Sequence, residues 1–209
     1  MPPRRPASFV DVTDSPLDDA LAFFLEIDRL KGVERRNFLA DGSRRENTAE
    51  HSWHLGMAVM VFAQFANEPV DLATAIGMAL VHDIVEIDAG DTFAYDQGAD
   101  AASKEAREQA AADRLFGLLP TATGQRFREL WDRYERGECP ESRLVMAVDR
   151  MAPMFLNMAE GGTTWREFGI GRERVIARNG KYVQAALPDV WTRALDRLDS
   201  AVEQGHIDH

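Results

Sequence analysis

The chain has 209 residues, 45% hydrophobic and 28% charged, with a formal net charge of −11 and a pI near 4.9. That is an ordinary globular composition of a length suited to one domain, and its acidity argues against a general binder of nucleic-acid polymers or membrane surfaces while leaving room for a small anionic substrate. The single cysteine, Cys139, excludes an intramolecular disulfide, no apolar run approaches the ~18 residues of a membrane span, and the N-terminus lacks a signal-peptide core, so a cytoplasmic protein is expected.

Residues 1–16 hold four of the nine prolines and read as a flexible tail. A first helix is expected over about 17–31, with Leu17, Leu21, Phe24, Leu25 and Asp28 on one side and a stop near Gly32. The basic stretch GVERRNFLADGSRRE, residues 32–46, reads as a loop. Asn47 followed three residues later by Glu50 forms a helix-start box. Its helix should run to about Asn67 and carry Trp53, Met57, Met60, Val61 and Phe65. Pro69 breaks the chain, and Asp71 caps a helix expected to continue to about Asp88. Beyond a loop at 89–99, helices are expected over about 100–118, 121–136, 141–160, 172–186 and 188–204, leaving residues 205–209 as a tail. No strand alternation appears. The expectation is an all-α bundle of seven or eight helices, one domain over 17–204.

Within this frame His82 and Asp83 stand out, because they interrupt the apolar run AIGMALVHDIVEIDAGD. Leu72, Ile76, Ala79, Asp83 and Ile87 fall on one helical stripe, and His82 shares the neighbouring face with Ala75, Met78 and Glu86. A carboxylate on a core-facing stripe is costly unless paired, and no Lys or Arg lies between residues 46 and 103 to pair with it. A divalent metal would meet the need. Further ligands are available: His51, in the first turn of its helix, and Asp149, beside the stripe Leu144, Val148, Met151 and Phe155. Pro153, four residues after Asp149, should kink that helix. Two imidazoles and two carboxylates suit one divalent ion, among Mn, Fe, Co, Ni and Zn, with Mg also open, and leave positions for water or substrate. Glu86 lies one turn after His82 and should point to the same side, as a general acid/base does.

These residues carry a resemblance. The segments LKGVERR, RRENTAEHSW, MALVHDIVEIDAGD and AVDRM, over about residues 24–158, resemble the HD-domain metal-dependent phosphohydrolase superfamily, and within it the 5′-deoxynucleotidase group. The resemblance implies an all-helical core, metal ligation by His51, His82, Asp83 and Asp149, and catalytic roles for Glu86 and Asp91. It also implies a phosphate contact from Arg35 and a homodimer. The expected reaction is metal-dependent hydrolysis of a (deoxy)nucleoside 5′-monophosphate. Arg36 stands where the YfbR-like members of the group carry Trp, a departure that bears on base or sugar recognition. No histidine occurs between 82 and 206, so the middle histidines of dinuclear relatives are absent. The single-metal guanosine tetraphosphate hydrolases are an alternative, weakened by Ile87 where they carry Asp; an inactive nucleotide-binding module is another. His54 reads as a core or supporting histidine, and residues 160–209 as a segment that closes the bundle or forms an interface.

Overall fold

The structure, a computed structural model, describes residues 15–95 and 101–208. The expected tail over 1–16 falls almost wholly outside them. Helix α1 (Pro16–Glu26) starts where the Ser15 hydroxyl accepts from the Asp18 N–H, with Pro16 at the first position. It tightens into a 3₁₀ turn at Ile27–Gly32, so the helix anticipated to residue 31 ends sooner. Its apolar side faces outward: Phe23 and Leu30 are buried, while Leu17, Leu21, Phe24 and Leu25 are each more than half exposed.

The anticipated loop over 32–46 contains a hairpin instead. Strands β1 (Glu34–Phe38) and β2 (Arg45–Asn47) pair antiparallel, Glu34 opposite Asn47 and Phe38 opposite Arg45. The turn is local, with Asp41 Oδ1 accepting from the Ser43 N–H at 2.9 Å and Gly42 at φ 69°. The alternation that usually betrays a strand is here one of charged residues: Arg35 and Glu46 point inward while Glu34 and Arg36 stay exposed.

Helix α2 (Thr48–Phe62) begins with the expected box, Asn47 Oδ1 accepting from the Glu50 N–H and the Glu50 carboxylate from the Asn47 N–H. Asp71 caps α3 (Leu72–Val81). This helix does not run on to Asp88. The Trp131 indole N–H donates to the His82 carbonyl at 3.1 Å, occupying the acceptor that the Glu86 N–H would need. The Glu86 N–H turns to the Asp83 carbonyl instead, at 3.0 Å, and one turn of i→i+3 bonds carries residues 82–85 into the short α4 (Glu86–Ala89). His82 and Asp83 therefore sit in a break between helices.

Helices α5 (Ala101–Phe116), α6 (Thr121–Arg136) and α7 (Pro140–Ala159) follow close to their expected bounds, Pro153 standing inside α7. Then come a short α8 (Thr163–Glu167) that the sequence pattern does not announce, α9 (Arg172–Ala186) and α10 (Pro188–Glu203). The all-α expectation holds, with ten α-helices among the described residues because α3 and α4 are split and α8 is added.

Two apolar cores form. One gathers α2, α3, α7, α9 and α10 around Leu55, Val59, Met78, Val148, Val183 and Leu198; the other gathers α1, α5 and α6 around Phe23, Leu115 and Trp131. Residues 78–87 pass from the first core to the second, which is why apolar residues surround His82 and Asp83 on both sides. The face carrying Ala75, Met78, His82 and Glu86 is the more deeply buried one, and Leu72, on the supposed core stripe, is exposed. The C-terminal segment is tied down as well: Ile207 is buried, and the Arg172 N–H donates to the Asp208 carbonyl at 2.8 Å.

Candidate metal and active site

The break after α3 presents His82 in a fixed state. Its Nδ1 faces the Ala79 carbonyl at 2.9 Å. A carbonyl only accepts, so in the neutral ring the proton resides on Nδ1 and the Nε2 lone pair is free. That Nε2 is buried, makes no directed hydrogen bond and lies 3.0 Å from Asp83 Oδ2. The capping box places His51 at the same point from the other side. Its ring is buried, with Nε2 3.0 Å from Asp149 Oδ1 and 3.8 Å from Asp83 Oδ2. Ligand atoms of His51, His82 and Asp83 lie within 4.8 Å of one another. Bonds of ~2.0–2.2 Å to a common ion would hold such atoms within roughly 4.4 Å, so a slight closure suffices. An orphaned imidazole lone pair aimed at a carboxylate is the donor set a divalent cation takes, and these residues fit one.

The partner that the local sequence lacks comes from β1. Arg35 Nη1 donates to Asp83 Oδ2 at 2.9 Å, with the side chain largely buried. Behind it stands Glu46, 2% exposed, with Oε2 3.6 Å from His51 Nδ1 and 3.7 Å from Arg35 Nε. Sequence reasoning did not single out Glu46, because its inward orientation depends on a strand with no apolar alternation. A carboxylate facing His51 Nδ1 favours the proton there and leaves Nε2 to the site. Tyr134 closes the floor, its ring 5.1 Å from that of His82 and its hydroxyl 3.5 Å from Asp149 Oδ2.

Charge is distributed unevenly over the carboxyls. Burial works to raise Asp83, but His82 and Arg35 outweigh it and hold the group down at about 2. Asp149 is likewise held low against burial, through His51, His82 and Arg35. Glu86 goes the other way: burial and the neighbouring Asp83 push it up to about 9, with Arg35 opposing. The Thr48 hydroxyl donates to Glu86 Oε2 at 2.9 Å and fixes the carboxyl's orientation. Asp91 is also raised by burial. It reaches the site because Gly90, at φ 75° and ψ 154°, swings the chain away from α4.

Six of the seven expected residues, Arg35, His82, Asp83, Glu86, Asp91 and Asp149, line one cavity of about 230 Å³, and His51 sits directly behind it. Arg36 also borders the cavity. His54 is neither core nor supporting: it is exposed, beside Trp53. Residues beyond 160, which carried no readable chemistry, complete the wall through Thr164, Trp165, Arg178 and Asn179. Asn157 in α7 adds a buried acceptor. Its Nδ2 donates to the Pro153 carbonyl at 2.8 Å and its Oδ1 is left without a partner.

A bundle with paired histidines and carboxylates around one buried point defines a class of metal-dependent hydrolase folds, and the HD domain family model matches residues 27–191. The chain belongs to the HD domain family. It is 27% identical over 136 residues to the 5′-deoxynucleotidase HDDC2 of Danio rerio, covering 65% of this chain and 66% of that protein. It is 27% identical over 141 residues to the Homo sapiens HDDC2, covering 67% of each. The match thus spans about two thirds of these relatives. A crystal structure described as a predicted metal-dependent phosphohydrolase from Magnetospirillum magnetotacticum is 39% identical, with a TM-score of 0.86, over 94% of this chain and 100% of that one. An HD-domain phosphohydrolase from Listeria innocua, 15% identical with a TM-score of 0.55 over 85% of this chain and 99% of that one, shares the fold.

Proposed function

We propose that this protein is a metal-dependent phosphomonoesterase acting on (deoxy)nucleoside 5′-monophosphates, with release of inorganic phosphate. The observation that carries the reading is the orphaned His82 Nε2, directed at Asp83 beside His51 and Asp149 in a cavity that also holds a protonatable Glu86. His51, His82, Asp83 and Asp149 would hold one divalent ion, and their mixed imidazole and carboxylate donors suit Mn, Fe, Co, Ni or Zn, with Mg admissible. Such an ion supplies Lewis-acid polarisation of a phosphoryl oxygen and an acidified water. The protein does the rest. Arg35 offsets negative charge on the transferring phosphoryl group. Glu86, oriented by Thr48, holds a proton near neutral pH and can deliver it to the departing sugar oxygen. Asp91 borders the same space and orients the nucleophile or the sugar.

The exposed apolar side chains of α1 and α2, among them Leu21, Phe24, Trp53 and Met57, support a homodimer. The lone Cys139 suits a cytoplasmic setting. No described helix is long and apolar enough to cross a membrane.

The test is phosphate release from a panel of deoxynucleoside 5′-monophosphates and guanosine tetraphosphate, using protein stripped of metal and reloaded with single ions. Metal-dependent phosphate from the monophosphates is expected, with Glu86→Gln keeping the metal and losing the rate. Pyrophosphate from guanosine tetraphosphate, or silence on every monophosphate, would overturn the reading.

A further inference from the structure

Two arginines of the cavity wall are not used by the chemistry above. Arg150 follows Asp149 on α7, and Arg178 lies on α9; both border the same cavity as the metal residues. Each packs over an aromatic ring, Arg150 over Tyr182 at 4.6 Å and Arg178 over Tyr95 at 5.4 Å. Neither has a carboxylate within 4 Å or a hydrogen-bond acceptor among the described residues. In a chain with 35 acidic and 24 basic residues, other helical arginines such as Arg114, Arg128, Arg143 and Arg172 are paired with carboxylates, whereas these two border a cavity unpaired. Burial and the neighbouring positive charge of Arg150 both act against the Arg178 guanidinium. Two partly buried cations with no carboxylate within ion-pair distance among the described residues cost folding free energy, which the more distant Asp149 offsets only in part. Such an arrangement persists where an anion completes it.

We propose that Arg150 and Arg178 form a second anion subsite, and that the preferred substrate is a phosphomonoester carrying a second phosphate away from the scissile one. Two guanidiniums match a phosphate monoester, which carries a charge of about −1.5 to −2 at neutral pH and accepts paired N–H donors. The aromatic rings beneath hold the guanidiniums in place without neutralising them. This inference rests on the phosphomonoesterase reading and narrows its substrate class to a nucleoside bisphosphate. For a 3′,5′-bisphosphate, water adds to the 5′ phosphorus, the P–O5′ bond breaks, and the proton goes to O5′. The products are inorganic phosphate and the nucleoside 3′-phosphate, whose 3′ group stays bonded to the sugar and rests on the arginines until the product is released.

The experiment compares 2′-deoxyadenosine 3′,5′-bisphosphate with 2′-deoxyadenosine 5′-monophosphate on the metal-loaded full chain. It measures kcat/KM for each and, separately, equilibrium binding of 2′-deoxyadenosine 3′-monophosphate against 2′-deoxyadenosine. The bisphosphate is expected to be favoured at least tenfold, and the 3′-monophosphate to bind at least tenfold tighter than the nucleoside, more so at low salt. R178M is expected to bring both ratios near one, and R178K to retain part of the preference. Should R178M fail to fold by circular dichroism, R150M provides the same comparison. No hydrolysis of either nucleotide, with an Arg178-dependent binding preference intact, would overturn the catalytic reading and sustain the subsite. Ratios near one in the unsubstituted protein, or preferences unchanged in both variants, would overturn the subsite.

Discussion

Replacing Trp131 with phenylalanine tests the proposition that an indole N–H sets the geometry of the active site. Trp131 is 2% exposed and its only polar atom donates to the His82 carbonyl at 3.1 Å. Phenylalanine keeps the aromatic packing but leaves that carbonyl without its donor, at a cost of ~1–3 kcal/mol. Loss of roughly 35 Å³ of side-chain volume at ~24 cal/mol per Å³ adds about 0.8 kcal/mol. The sum, about 2–4 kcal/mol, corresponds to a Tm lower by roughly 4–15 °C for a domain of this size. The consequence for function is separate. A freed His82 carbonyl competes for the Glu86 N–H and draws residues 82–86 toward a regular helix, rotating His82 and Asp83 away from His51. Divalent-metal affinity should therefore fall by more than the loss of stability explains, measured by metal titration at a temperature where W131F is fully folded. A W131F protein with unchanged Tm and unchanged metal affinity would refute the argument that this hydrogen bond breaks the helix at His82.

Gly162→Ala should be severely destabilising, by more than ~3 kcal/mol, because Gly162 has φ 79° and an added Cβ would meet the His206 carbonyl oxygen at 1.8 Å; thermal melting reads it. Adding a divalent metal to stripped protein at ~1,000 times its Kd should stabilise by about 4 kcal/mol, a rise of roughly 8–16 °C in Tm, and His82→Ala should abolish the rise. Glu26 is held below its usual value of 4.5 because Arg114 and Arg29 outweigh its partial burial. With a lowered folded-state pKa, its contribution is complete above pH 4.5 and is lost as pH falls through the lower folded value. Glu26→Gln should thus lower Tm by up to ~4 °C at pH 7, and the difference should vanish in acid.

How far the site could be read in advance differs between residues. His82, Asp83 and Asp149 were legible because each places a costly polar group in an apolar run, a signal that needs no neighbours to be recognised. His51 was legible through the capping box that starts α2. Glu46 and Arg35 illustrate the opposite case. Their orientation is set by a hairpin of charged residues whose pairing leaves no periodic trace in GVERRNFLADGSRRE, so Arg35 was attached to the site by resemblance and Glu46 was missed. Arg178, Asn179 and Trp165 lie up to ~100 residues from His82 in sequence, and only the packing of α8 and α9 on α7 brings them to the cavity.

The apolar patterning of α2, α3, α7, α9 and α10, the caps at Asn47 and Asp71, and the improbable polar residues just after α3 and in α7 determined the helical class and most of the metal-ligand candidates. These are local properties, governed by helix period and by the cost of burying charge. The break at His82, the outward turn of the α1 leucines, the Arg35–Asp83 pair and the lining of the cavity by α9 were decided by tertiary structure. Each depends on a contact across tens of residues, such as the Trp131 indole on the His82 carbonyl, and a local pattern carries no record of such contacts.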